Sequence, residues 1–410
     1  MKTSRLNWLG AFYVCSGASL FALQAPQPPS PPNQSPVPVA GSIPTLTPRS
    51  HDERERNYEA EHRIILNVEA TDASGAPVAG LKDEDFTLLD NHLPQKLLSF
   101  QTRNGYAPEA RTRAMLVLDT TNISSRTLGN ERKGIEKFFG QNQGRLDFPI
   151  SVAVFSSTGI QASQPSQDGY ALIADLERLS GGLHAASCVE DENDPGWGQP
   201  FAGRSGVPLS DRAAMQTQPT PSKLADCENT EFKRAVSELN LLASKEADAP
   251  GRVILIWIGP GWPQLSRHEI KPDTPAMKQN LFDYRVELLT GLRKAQVTLD
   301  AISFPDSERD AEPNGAADKA IANGVARADE ASAASMALRV LVHETGGRTL
   351  DRGKDVSNSI AACLADAASY YVLSFNSAGG SKEGEYHELK VRVNRPGVTA
   401  RTNRAYYAVP

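Results

Sequence analysis

The chain has 410 residues, room for two or three domains, and its 40% hydrophobic and 22% charged content is that of a globular protein. A formal charge of −6 without a long basic run argues against nucleic acid as a partner. None of the seven histidines pairs with another at a zinc-ligand spacing, which excludes the common zinc motifs.

Residues 1–25 have the layout of a secretory signal. Lys2 and Arg5 precede the apolar stretch Leu6–Ala25, which ends in Phe21-Ala-Leu-Gln-Ala25. The stretch is also long enough to remain as an anchor, although Asn7, Gly10, Ser16 and Gly17 favour cleavage. Cys15 is a poor lipidation site, because Phe12-Tyr-Val precedes it where a lipoprotein peptidase needs small residues. No other segment could span a membrane, so the expected location is the periplasm, cell envelope or exterior. Residues 26–58 begin with a Pro-, Ser- and Gln-rich run that cannot bury apolar surface and reads as a disordered linker. In an oxidising compartment Cys188 and Cys227 could close a loop, leaving Cys363 as a small buried hydrophobe.

Residues 59–104 read as three short strands, near Ile64–Ala70, Phe86–Leu89 and Gln95–Phe100. From Ala114 strands and helices alternate. Ala114-Met-Leu-Val-Leu118 is a continuous apolar run ended by Asp119, the mark of a strand buried on both faces. A helix follows near Leu128–Gly140, then the strand Phe148–Phe155, a short strand near Ile160–Ala162 and a helix at Tyr170–Leu179. Residues 181–229 lack a clear period and form an insertion, expected as a surface loop on the Asp119 side. Beyond it come a helix at Glu231–Lys245, the strand Val253–Ile258 and a helix at Met277–Ala295. The strand Val297–Ser303, a polar loop, a helix at Ser332–Thr345, a short strand to Leu350 and a helix at Val356–Ala367 complete residues 105–367. This alternation predicts a parallel, doubly wound sheet with helices on both faces. Residues 368–410 return to three strands. Neither β-rich end can bury its own apolar face, so the two are expected to share one sandwich with the α/β body inserted between them.

A series of short motifs runs along the chain. It comprises Val68-x-x-Thr-Asp-x-x-Gly-x-Pro-Val78, Gly80-Leu-Lys-Asp-Glu-Asp-Phe86, Leu116-Val-Leu-Asp-Thr-Thr-Asn122, Leu255-Ile-Trp-Ile-Gly-Pro-Gly261, Glu344-Thr-Gly-Gly-Arg348, Tyr370-Tyr-Val-Leu-Ser-Phe375 and Arg404-Ala-Tyr-Tyr407. From about residue 60 onward, in this order, they resemble a von Willebrand factor type A domain of the Acidobacteria-type exported family. The resemblance implies a Rossmann-like fold and a metal-ion-dependent adhesion site. That site takes Asp-x-Ser-x-Ser after the first strand, a Thr before the third helix and an Asp after the fourth strand. Asp119 fits the first position and Thr121 can replace the first Ser, with Asn122 beside it and Thr230 as the loop Thr. Ile123 holds the second Ser position and Gly259 stands where a carboxylate is expected. Mg²⁺ wants about six oxygens, so the site is degenerate and binds Mg²⁺ weakly or not at all; no cofactor is expected. Read without the resemblance, Asp119 is equally a turn residue and Thr230 a helix cap.

The expected function is that of a non-enzymatic module binding an unidentified protein in an adhesion or scaffold role. Alternatives are a structural component of the cell envelope or a Mg²⁺-dependent phosphohydrolase. The last would need Asp-x-Asp where the chain has Asp119-Thr-Thr121, and no nucleophile elbow or phosphate loop is present.

Overall fold

The computed structural model describes residues 62–121, 123–181, 221–247, 249–262, 274–303, 316–351, 355–377 and 384–408. These described residues all belong to one compact unit. The expected signal, linker and most of the insertion lie outside the described residues, and no described helix is long and apolar enough to cross a membrane.

The centre is a seven-stranded sheet. It contains β5 (Arg113–Asp119), β6 (Arg145–Ser156), β7 (Gly159–Ala162), β8 (Ser166–Asp168), β9 (Val253–Ile258), β10 (Val297–Ser303) and β11 (Thr349–Asp351). The order β11-β10-β9-β5-β6-β7, with β8 also paired to β6, is doubly wound. From β5 the chain steps to β6 on one side and later returns to β9 on the other, so the order reverses between β5 and β9. The strands from β11 to β6 are parallel. β7 and β8 run antiparallel, against the all-parallel expectation. A turn as short as Ser157–Thr158, closed by Gly159 at φ +106°, can join β6 and β7 only as a hairpin.

Two apolar layers flank this sheet, because each buried strand is apolar on both faces. On one face lie α1 (Ser125–Phe139), α2 (Gly169–Ser180) and, further along the chain, Val356–Leu364. They contribute Ile135, Phe139, Leu172, Leu176 and Ile360 over Leu116, Leu118 and Ile256. On the other face lie α3 (Pro221–Ala247) and α4 (Pro275–Lys294), with Leu239, Leu242, Leu288 and Leu292 over Val117, Leu255 and Trp257. α5 (Ala316–Asn323) falls within the expected polar loop, and α6 (Leu338–Glu344) is shorter than expected because a 3₁₀ turn, Ala334–Met336, precedes it. α7 is Val356–Leu364, followed by another 3₁₀ turn.

The chain ends build two four-stranded antiparallel sheets. The remaining strands are β1 (Arg63–Thr71), β2 (Phe86–Asp90), β3 (Leu93–Gln95), β4 (Ser99–Arg103), β12 (Tyr370–Asn376), β13 (Glu385–Val393), β14 (Thr399–Arg401) and β15 (Ala405–Ala408). One sheet has the order β14-β1-β12-β4 and the other β15-β13-β2-β3, so each mixes strands from both ends of the chain. One core joins them, with Ile64, Leu66, Val68, Tyr371 and Leu373 from the first sheet meeting Phe86, Leu88, Leu389, Val391 and Tyr406 from the second. The expected single strand Gln95–Phe100 is in fact a crossing between sheets, since β3 and β4 belong to different layers. Leu97 packs on the core at the crossing while Leu98 is exposed. The last expected strand divides in the same way into β14 and β15. Between them Arg404 N donates to Glu344 O of α6 at 3.0 Å and Leu389 N donates to Arg404 O at 2.7 Å.

A buried charge cluster ties the first of these sheets to the end of the central sheet opposite Asp119. Arg252, at the start of β9, pairs with Glu69 of β1 and lies 4.8 Å over the Tyr370 ring. Asp366 pairs with Arg401 of β14 and, at 3.0 Å, with Arg348. Beside them Asp300 Oδ1 accepts from Arg348 N at 2.7 Å. Burial pushes its carboxyl up to about 7, and nearby Asp366 adds to the rise.

That raised value has a testable sign. Between about pH 4 and pH 7 native Asp300 keeps a proton that the unfolded chain has released, so its contribution to stability is full at the acid end and is lost as pH rises through 7. The loss amounts to at most about 4 kcal/mol. Asp300→Asn keeps an acceptor for Arg348 N and cannot ionise. Denaturant midpoints of the variant relative to the native chain should therefore shift in favour of Asn from pH 5 to pH 8. A difference that stays flat or moves the other way contradicts the assignment.

Candidate functional site

Asp119 ends β5 at the point where the strand order reverses, the usual place for a functional group in an open α/β sheet. It lies on the same face of the strand as Val117, which is in register with Trp257 of β9. The side chain is only 1% exposed. Oδ1 accepts from Thr121 N at 2.9 Å and from Thr121 Oγ1 at 2.7 Å. Oδ2 accepts from the Trp257 indole Nε1–H at 3.0 Å. Burial pushes the carboxyl up to about 7 despite these three donors, and Glu231 contributes to the rise.

The turn after Asp119 is fixed by its own contacts. Thr120 donates twice to Phe155 O, from N at 3.0 Å and from Oγ1 at 2.9 Å. Ile123 is buried in the core under α1, and Ser124 caps that helix by accepting from Thr127 N at 3.2 Å. Thr120, Thr121 and Ser124, between the strand and the helix, thus pair their polar groups locally.

Of the four residues proposed as ligands from the sequence, the fold brings Asp119 and Thr121 together. Asn122 lies outside the described residues. Thr230 does not stand before a helix as expected. α3 begins at Pro221, so Thr230 is within the helix and exposed, while Glu231 is buried. The extra turns, Pro221–Thr230, extend α3 by about 15 Å at the usual rise per residue. Sequence reasoning missed Trp257 and Glu231. A Trp in an otherwise aliphatic strand was a usable signal, because a buried indole N–H needs an acceptor. Glu231 carried none, since the expected helix began on it.

A divalent cation fits this site poorly. Both Asp119 oxygens already accept protein hydrogen bonds, and Ile123 offers apolar surface where an oxygen is needed. At Gly259 a Cβ would sit 2.6 Å from the Asp119 Cβ, at a φ of +142°. Among the described residues no cluster of three or more His, Cys, Asp or Glu could hold a metal. Placing at Gly259 the carboxylate that the resemblance expects there should consequently damage the fold rather than create a site. Gly259→Asp is expected to cost about 1–3 kcal/mol for the backbone alone, more with the overlap, and to show no heat of Mg²⁺ binding. Calorimetric titration beside a melting curve checks both.

Near the start of α3, Cys227 is disulfide-bonded, while Cys363 is a free, buried thiol. The other half of the disulfide lies outside the described residues. Non-reducing peptide mapping should recover Cys227 joined to Cys188. Closing a loop of roughly 40 residues constrains the unfolded chain by about 4 kcal/mol on the chain-entropy model. A peptide with Cys188 free would contradict that pairing.

Fold and site together define a doubly wound α/β body with a closed polar turn at its switch point, joined to a β-sandwich of both chain ends. No known family pattern and no curated protein matches the sequence. Among solved structures it is similar to the human COPII-coat protein Sec24c, with 8% identity and a TM-score of 0.27, over 76% of this chain and 46% of that one. It is also similar to the pilus adhesin SpaC of Lactobacillus rhamnosus GG, with 8% identity and a TM-score of 0.33, over 80% of this chain and 49% of that one. The chain thus spans about half the length of these two structures, and likenesses this distant carry no inference about function.

Proposed function

We propose that the chain is an exported, von Willebrand factor A-like binding module that engages a protein partner at the Asp119 end of its central sheet, without a metal. The observation that carries this reading is the state of Asp119. The residue sits at the switch point of a sheet with the doubly wound order, yet its carboxylate is spent on internal hydrogen bonds. A carboxylate buried in this way is poorly placed to act as a nucleophile or general base. The end of the sheet is then better suited to presenting surface than to chemistry. Exposed residues there include Ser125 and Arg126 at the start of α1 and Ser157 in the β6–β7 turn.

The full chain used as bait against a cell-envelope extract tests the reading. Retention of a discrete partner should be equal in chelator and in Mg²⁺. It should fall at least tenfold, about 1.4 kcal/mol, when Arg126→Glu and Ser157→Glu are combined. Retention indifferent to that pair but abolished by Lys390→Glu with Arg392→Glu, on the exposed side of β13, overturns the proposal. Mg²⁺-dependent phosphatase turnover that disappears in Asp119→Asn would establish the phosphohydrolase alternative instead.

A further inference from the structure

Of the three donors on Asp119, two come from the turn that follows β5 and one from β9, and they differ in how freely they can move. Thr121 is two residues along the same chain and follows the turn wherever it goes. The indole of Trp257 comes from β9, a strand buried along its whole length. Its ring packs against two others, Trp262 edge-on at a centroid distance of 4.7 Å and Phe155 at 5.2 Å, and is fully buried. A buried indole packed against two aromatic rings cannot swing its N–H away from Oδ2 without breaking that packing. Gly259, the second residue after it, closes on the Asp119 Cβ, and its N–H is fixed to Ile302 O at 3.1 Å.

A carboxylate removed from water needs compensation, which either a cation or a set of aimed donors can supply. We propose that the Trp257 indole N–H takes the place of a divalent cation at this end of the sheet. In that role it is a positioning residue that holds Asp119 and the Thr121 donors on it in one arrangement whatever the cation concentration. The inference rests on the binding reading given above and adds how that end is regulated: it has no cation switch. The donor is covalently part of β9, so it cannot be stripped by a chelator, and the turn has no metal-free state to relax into.

Nuclear magnetic resonance of the full chain tests this directly. The chain has four Trp residues, so the Trp257 indole signal is identified by its loss in Trp257→Phe. Should that variant fail to accumulate, elimination with Trp8→Phe, Trp197→Phe and Trp262→Phe serves instead. The signal is expected to keep its position and intensity in excess Mn²⁺ and in chelator, because a paramagnetic ion never comes near it. Where Trp257→Phe folds, amide exchange at Thr121 should quicken by about tenfold or more, the loss of one hydrogen bond to a charged group. Exchange at Val152, in the middle of β6, should change far less. Bleaching of the indole signal by Mn²⁺, or Thr121 exchange unmoved in Trp257→Phe, overturns the inference. Neither outcome touches whether a partner binds at this end, which the bait experiment decides by itself.

Discussion

A chain that stops at Ala367 is expected to leave its own first four strands unprotected. The truncation removes β12, which lies between β1 and β4, and β13, which lies between β15 and β2. β1 would lose all six of its register partners on β12, from Arg63–Asn376 to Val68–Tyr371. The shared core would lose Tyr371, Leu373, Phe375, Leu389, Val391 and Tyr406. At about 1.5–3 kcal/mol for each buried side chain, the loss is about 10 kcal/mol or more, as large as the whole stability of an ordinary domain. The α/β body is affected as well, because Tyr407 of β15 accepts from Arg285 Nε of α4 at 2.9 Å and donates to Val325 O at 2.9 Å. Hydrogen exchange over residues 63–71 should run at the unfolded rate in the truncated chain and be strongly slowed in the full one. Protection of those residues without the C-terminal strands would contradict a shared core.

Arg252→Met should be the most damaging single substitution at the junction. Arg252 is fully buried and holds Glu69 through its guanidinium, with further bonds to Asp366 O at 3.3 Å and Thr298 Oγ1 at 3.3 Å. Removing it leaves Glu69, whose carboxyl burial already pushes up, with the more distant Arg401 guanidinium at 3.9 Å. Breaking one side of a buried pair costs about 3–5 kcal/mol, whereas replacing both sides by apolar groups is often close to neutral. Arg252→Met with Glu69→Leu should therefore recover much of what the single variant loses. Denaturant midpoints for the two variants decide the matter. If the double variant is no better than the single, the pair is not the unit that holds the junction.

Much of the fold was legible in the sequence because its strands announce themselves by what surrounds them. Ala114–Leu118 and Val253–Ile258 are apolar on both faces, and such runs need helices above and below. Along Leu389–Val393 apolar residues alternate with Lys390 and Arg392, the pattern of a strand with one solvated face. The crossings between sheets were not legible. Gln95–Phe100 is continuously strand-like, and only the packing of Leu97 against the core with Leu98 turned outward shows that the chain changes layer there. Nor could sequence period place the start of α3. Its amphipathic face begins at Phe232, where the helix reaches the sheet, while Pro221–Thr230 leaves no apolar stripe to read.

The candidate site was half legible for a similar reason. A carboxylate at the end of a buried strand stands out, and so does the absence of oxygens at Ile123 and Gly259. What satisfies Asp119 depends on β9 lying beside β5, a pairing between residues far apart in the chain. The close approach of Gly259 to the Asp119 Cβ depends on the same neighbourhood. A motif read along one strand misses a donor that arrives from the next.

Which end of the molecule meets its partner is tested most directly by photo-crosslinking in intact cells. A photoreactive side chain would be placed in the full chain at Arg126 or Ser157, near Asp119, and at Lys390 or Arg392 on β13. Discrete heavier adducts from the first two positions, unchanged by chelator, are the predicted result. Adducts confined to the β13 positions, or adducts near Asp119 that vanish when divalent cations are removed, would contradict a cation-independent binding end.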